Sequence, residues 1–336
     1  MEKVTLIVNA RNRFSTTSRC LEELIAHSPE AAEIIAVMGG APAHLKKEWQ
    51  ARFGDKVRFI FKPDFLGQTQ AHNIGLREAA TKLAVILDSD VYVRPGWLEP
   101  LIRCRQETGA VMATPIILEP GERIHCLGNN LYITEKNGKR YASKVFPYHG
   151  MVLGERSNLK RQRVDYGEIH CQLVAIEPTL RLNALDEQIL EGPEMDSGLT
   201  WAKAGLEAWA EPASVVFLDL KAPITADDIG LFVWRWDMRN ILEGYRYFEK
   251  KWGIDMTEYG GFRDFLVRYN SQLGWLPRRF PSQWALMLDK RIGGIKGLGS
   301  DILRIPKDSY RRYKARKLGY FEWPVPTESQ EKASAY

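Results

Sequence analysis

The residues best suited to chemistry are Asp88 and Asp90, separated by Ser89 at the end of the run Leu83-Ala84-Val85-Ile86-Leu87. That run is partly β-branched and too short for a typical helix, so it reads as a buried parallel strand delivering acids at its carboxyl end. Ligands of open α/β sheets bind at that edge. If the chain stays extended through Asp90, both carboxylates project to one side of the backbone and can face one hard cation, directly or through water. Such a cation is suited to carrying phosphates. A strand-end turn in which Asp88 caps the next element would use the same residues without any ion.

Two further pairs invite a metal reading, His125 beside Cys126 and His170 beside Cys171. Neighbours on a strand point to opposite faces, which argues against a shared histidine–cysteine site. The four cysteines lie far apart with no paired spacing, so neither a disulfide framework nor a zinc motif is indicated and buried, reduced thiols are expected.

The elements that must position these groups follow in order. Val4 to Val8 is a short β-branched run leading through Asn9, Ala10, Arg11, Asn12 and Arg13 into a helix around Thr17 to Ala26. Ile34 to Met38 and Val57 to Phe61 supply two more strands, the first ending in Gly39-Gly40-Ala41-Pro42. Gly67 to Ala80 then runs as a helix into the acidic strand. Strands alternating with helices imply a doubly wound α/β sheet. Later strands are expected over Ala110 to Ile117, Leu173 to Ile176 and Glu211 to Phe217, with a loop or hairpin over Tyr132 to Tyr148. A chain of 336 residues, 45% of them hydrophobic, has room for one large or two ordinary domains.

The first half resembles glycosyltransferase family 2. The likeness rests on Val4 through Arg13, Glu33 through Val37, Gly67 through Ala71-His72-Asn73-Ile74-Gly75-Leu76, and Leu87-Asp88-Ser89-Asp90 followed by Pro95-Gly96-Trp97-Leu98. The hairpin-like Pro120 to Ile124 with Gly128 is similar to that of rhamnosyltransferase-like members. The resemblance implies a GT-A fold, Rossmann-like, with a mostly parallel central sheet flanked by helices. It also implies an inverting enzyme that moves a sugar from a nucleotide-diphosphate donor to an acceptor hydroxyl on a glycan, glycolipid or small molecule. Donor contacts would come from Asn9, Arg11, Asn12, His72, Asn73, Asp88, Ser89 and Asp90. Asp88 and Asp90 would hold a divalent ion, Mn²⁺ or Mg²⁺.

Glu191 to Asp196, leading into a helix that ends at Ala204-Gly205, resembles the family's second acidic region. Counting back from Gly205 gives Glu194 the place of the catalytic base, with Asp196 second and Glu191 a further alternative, while Asp186 and Glu187 would bind sugar hydroxyls. Acids before a helix also cap its exposed amides, and Asp186 with Glu187 would equally suit a surface ion pair. The sequence departs from the family in three places. Met38-Gly39-Gly40-Ala41 stands where an acid usually reads the nucleobase, so UDP-, GDP- and dTDP-sugars all stay open. His72 replaces an arginine and could change charge near neutral pH. Leu218 and Asp219 stand where the family often has a histidine that joins the metal site, a role that Asp219 or a water could fill.

The likeness fades near Ala222, which divides the chain into a catalytic domain over 1–222, a helical, aromatic and basic C-terminal extension over 223–326, and a disordered tail over 327–336. The extension carries Tyr310-Arg311-Arg312-Tyr313-Lys314-Ala315-Arg316-Lys317 within a net charge of +5. Packing on the catalytic domain is its plainer reading, and peripheral contact with anionic lipid the sharper one. Gly293 to Gly299 reads as a loop. No nucleic-acid module is recognisable, and a homo-oligomer stays open. No window is apolar enough to span a bilayer and the start lacks a signal peptide, so a cytoplasmic protein, peripheral at most on the inner membrane face, is expected. Two rivals stand beside the enzyme reading: a degenerate, non-catalytic sugar or nucleotide binder, and a nucleotidyltransferase, although the latter usually opens with a glycine-rich loop that Asn9 to Arg13 lacks.

Overall fold

Parallel strands buried on both faces form the centre of the computed structural model, which describes residues 2–155, 158–219 and 222–256. The elements in order are β1 (Val4–Asn9), α1 (Thr17–His27), β2 (Ala31–Gly39), α2 (Ala43–Phe53), β3 (Val57–Lys62), α3 (Gln68–Glu78), β4 (Leu83–Asp88) and β5 (Val91–Val93). There follow α4 (Leu98–Thr108), β6 (Met112–Glu119), β7 (Arg123–Cys126), β8 (Asn130–Lys136), β9 (Lys139–Val145), β10 (Gln162–Val164), β11 (Cys171–Ala175) and α5 (Ile176–Arg181). The described chain closes with α6 (Pro193–Lys203), β12 (Ala208–Leu218), α7 (Ile229–Arg235), α8 (Met238–Trp252) and β13 (Ile254–Asp255).

The main sheet has the order β10-β12-β6-β11-β4-β1-β2-β3, with β5 pairing β12 and β7 pairing β6. β1, β2, β3 and β4 are mutually parallel, and β6 and β12 share their direction because β11 runs antiparallel to both β4 and β6. Every residue of β1 and β4 is buried, as a strand covered by helices on both faces must be. The covering helices are amphipathic: α1 turns Thr17, Cys20, Leu21 and Leu24 inward, a spacing that keeps one stripe against the sheet. All four cysteines are free and buried.

Six strand directions agree, so Asn9, Gly39, Asp88 and Glu119 all end at one edge of the sheet. The antiparallel β11 starts at that edge, which puts His170 there too. β4 stops at Asp88, and Ser89 with Asp90 forms a turn into β5. The extended geometry expected through Asp90 therefore does not hold. Its cause is the end of the ladder: β1 pairs β4 only as far as Asn9 opposite Asp88, and the Ser89 amide then donates to the Asn9 carbonyl at 2.8 Å.

The chain divides into two compact units, one comprising residues 1–131 and 146–235, the other 132–145 and 236–336. The first unit runs past residue 222 because Asp228, fully buried, accepts hydrogen bonds from the amides of Phe14 and Ser15 at 2.6 and 3.0 Å. In the second unit, β8 and β9 form the hairpin foreseen as one alternative. Its turn residues Asn137 and Gly138 both have positive φ, the geometry that asparagine–glycine turns favour. β13 adds a parallel strand to β9. The cationic run 310–317, the glycines of 293–299 and the segment 327–336 lie outside the described residues. Among the described residues no helix is long and apolar enough to cross a membrane.

α3 approaches β1 closely at Gly75, where an added Cβ would lie 2.3 Å from Ile7 Cγ2. Ile7 is a stiff, fully buried residue and cannot swing aside. Gly75→Ala is expected to destabilise the protein by roughly 1 to 2 kcal/mol, overpacking outweighing the helix-propensity gain. Urea unfolding measures it, and a variant as stable as the parent would show that α3 is free to move away from β1.

Candidate active site

Asp88 and Asp90 sit under a canopy of polar groups. Asp88 is 0% exposed and Asp90 2%. Burial favours the neutral acid and raises the pKa of both, and for Asp90 the neighbouring Asp88 charge adds to it. Several groups oppose that shift. Gln68, the first residue of α3, donates its amide to both Asp88 oxygens at 2.9 Å. His170 Nδ1 stands 2.7 Å from Asp88 Oδ2, and the guanidiniums of Arg11 and Arg13 lie 4.0 and 3.8 Å from Asp88 and Asp90. Ser89 Oγ donates to the Arg13 carbonyl at 3.2 Å, tying the loop after β1 to the acidic turn.

His170 is held neutral: burial first, then Arg11 and His125, push its pKa well below the usual histidine range. A neutral ring can donate Nδ1–H to Asp88, or, as the other tautomer, turn the Nδ1 lone pair toward an ion held with that carboxylate. Arg11 Nη1 lies 3.3 Å from the His170 Nε2. Ligand atoms of Asp88, Asp90 and His170 all lie within 4.8 Å of one another. Asp90 Oδ1 is buried without a hydrogen-bond partner, as are both side-chain polar atoms of Asn9 and Oδ1 of Asn12. Buried polar atoms normally find partners, so this edge is shaped to take a polar ligand. Two carboxylates and one neutral imidazole fit a divalent cation.

The second acidic region arrives on α6. Gly192 adopts φ +75° and Pro193 occupies the first helical position, which starts the helix sharply and sets Glu194 and Asp196 in its first turn. Both acids are buried. They lie about 200° apart around the axis, so one neighbourhood cannot receive both. It is the Glu194 charge that acts on His170 and Cys126. Glu191 is removed from the choice, since it pairs with the buried Arg235 at 2.6 Å.

Other residues take different places from those foreseen. His72 is fully buried, and burial lowers its pKa to about 4, so it is neutral rather than poised near neutral pH. Asn73 donates its amide to the Leu185 carbonyl at 2.8 Å and to Glu187 at 2.9 Å, a tie between α3 and the 185–187 loop. Asp186 accepts from the Gln188 amide at 3.2 Å in a local turn. Asp219 contributes its amide to the Asp90 carbonyl, while the residue lines a cleft with Arg19, Tyr92, Arg94 and Phe217. Gly40, at φ +66°, lies under the Phe65 ring, where a Cβ would come within 2.3 Å. An aromatic side chain thus covers the end of β2 where the family carries its acid.

Gln68 and Arg13 carry no site role in the sequence reading, and His170 enters it only as a metal ligand paired with Cys171. The histidine–cysteine pairs do not form sites with their cysteines, yet His170 and His125 come together, ring centroids 5.6 Å apart.

Residues 5–162 match the model of glycosyl transferase family 2. These residues, just under half of the chain, are similar to that family. The fold is GT-A: a solved structure of GalNAc-T7 with UDP, GalNAc and Mn²⁺ superposes with a TM-score of 0.53 at 15% identity, covering 84% of this chain and 58% of that one. The chain is also 26% identical over 218 residues to the pre-mycofactocin glycosyltransferase of Mycobacterium tuberculosis, covering 64% of this chain and 42% of that protein. A human protein, probable polypeptide N-acetylgalactosaminyltransferase 8, is 28% identical over 116 residues, 34% of this chain and 17% of its own length. The chain thus spans less than half the length of the last two relatives.

His72 gives the site a pH signature. Unfolded, it takes up a proton near pH 6.5; folded, not until about pH 4. Its contribution to stability is complete above pH 6.5 and is lost as pH falls toward 4, at up to about 1.4 kcal/mol per pH unit. Chemical denaturation at a series of pH values should show a shallower acid limb in His72→Gln than in the parent. Parallel limbs would mean that His72 does not stay neutral in the fold.

Proposed function

We propose that this protein is a metal-dependent, inverting glycosyltransferase that uses a nucleoside-diphosphate sugar as donor and a hydroxyl group as acceptor. The observation that carries the reading is the meeting of Asp88, Asp90 and His170 at the carboxyl edge of the sheet, with the Glu194 charge felt at His170. Asp88, Asp90 and His170 would hold a divalent ion, Mn²⁺ or Mg²⁺. When bound, such an ion offsets the charge that builds on the departing diphosphate. The presence of UDP, GalNAc and Mn²⁺ in the GalNAc-T7 structure supports the donor class and the ion.

The remaining work falls to side chains of this chain. Asn9 and Asn12 offer polar atoms to the donor, and Arg11 and Arg13 bring positive charge to the diphosphate side. Glu194 acts as the general base. It accepts the acceptor's hydroxyl proton on a carboxylate oxygen as the hydroxyl oxygen bonds to the anomeric carbon. The bond from that carbon to the diphosphate oxygen breaks and its electron pair leaves with the diphosphate. With base and leaving group on opposite faces of the sugar, one displacement inverts the anomeric centre. General-base assistance of this kind is worth about 10² to 10⁴ in rate.

The test is release of nucleoside diphosphate from a panel of UDP-, GDP- and dTDP-sugars with Mn²⁺. Glu194→Ala should lose about 10² to 10⁴ in kcat while binding the donor nucleotide as the parent does, and Asp90→Ala should weaken Mn²⁺-dependent nucleotide binding itself. A Glu194→Ala enzyme within a few-fold of the parent would remove the base. Nucleotide affinity with no turnover in any donor would make the protein a binder.

A further inference from the structure

Beyond the acidic site, histidine rings continue toward the surface. His125 stands 5.6 Å from His170 and 5.7 Å from His149, centroid to centroid. Its position comes from a bulge. β6 and β7 pair Glu119 with Arg123 and Leu118 with Ile124, but Ile117 with Cys126, which leaves His125 as the extra residue. A bulge re-aims the side chain it releases, and here His125 Nδ1 meets Glu119 Oε1 at 2.6 Å. The turn after β9 brings the third group. The Gly150 amide donates to the Ile124 carbonyl and the Ile124 amide to the Met151 carbonyl, fastening this turn along β7.

His149 Nδ1 lies 2.9 Å from the carbonyl oxygen of His125. A carbonyl only accepts, so Nδ1 carries the hydrogen and the lone pair sits on Nε2. Metal-ligating histidines use the same device, donating one ring N–H to a backbone carbonyl to fix the tautomer and orient the other nitrogen. Ligand atoms of Glu119, His125 and His149 lie within 4.8 Å of one another. The Glu119 and His125 side chains keep 11% and 16% exposure, so an ion can reach them from solvent.

We propose that Glu119, His125 and His149 form a second divalent-metal site, separate from Asp88 and Asp90, that takes a borderline transition-metal ion such as Zn²⁺. The donor sets divide the two sites by chemistry. Two imidazoles and one carboxylate suit Zn²⁺, whereas the acid-rich edge suits a harder ion. Three protein ligands leave a fourth position for water or another donor. A bound ion clips the 146–151 turn to the β6–β7 hairpin, beside the ring that supports Asp88.

Zn²⁺ titration of chelator-treated, full-length protein by calorimetry, with Mg²⁺ saturating the acidic edge, tests the assignment. The parent should bind one Zn²⁺, with X-ray absorption at the zinc edge showing two imidazole nitrogens. His149→Ala and Glu119→Gln should each weaken that binding at least as much as loss of an outer-sphere partner does, about 10- to 100-fold. Asp90→Asn should leave it unchanged. Co²⁺ bound to the unmutated protein should give the intense visible bands of a four-coordinate nitrogen and oxygen site, a readout that needs no variant to fold. Absence of Zn²⁺ uptake by the parent, uptake undiminished in both variants, or uptake lost in Asp90→Asn would each overturn the proposal.

Discussion

Two carboxylates buried side by side set the terms for everything around them. Removing one ion from water costs several kcal/mol even after relaxation, and like charges raise that cost. The surrounding chain answers from three directions. Gln68 comes from the start of α3, His170 from the lead into β11, and Arg11 and Arg13 from the loop after β1. Each is placed by an element whose own stability comes from apolar burial. The core therefore holds the polar canopy in place, and the canopy makes the acids tolerable.

That division of labour explains which parts could be read in one dimension. The apolar run Leu83 to Leu87 stops at an acid, and such a run predicts both a buried strand and the location of its end. Gly192-Pro193 likewise marks a helix start from local rules alone, and it places Glu194 in the first turn. These are short-range facts written in neighbouring residues. The doubly wound sheet follows from alternation of the same kind.

What escaped the sequence depends on pairings across long separations. His170 reaches Asp88 only because β11 inserts antiparallel between β4 and β6, in a register that sets Cys171 against Leu87. Nothing near residue 170 announces that strand's direction. The bulge at His125 is similarly invisible, since one extra residue on β7 changes no local pattern. Asn73 shows the converse: its place in a family motif pointed to the donor, whereas its amide is spent fastening α3 to the 185–187 loop.

The insertion of β11 also has a meaning in time. His170 and Asp88 are separated by 82 positions, which at ribosomal speeds of about 5–20 residues per second is on the order of 4 to 16 seconds of synthesis. Through that interval a nascent chain that has already made β1 to β4 has no β11 to pair with, leaving one flank of β4 as a raw margin of unpaired amides and carbonyls with charged acids at its tip. Such margins attract other strands. Charged groups on a strand margin count against such pairing, and until β11 arrives Asp88 and Asp90 are the charged groups at the tip of β4.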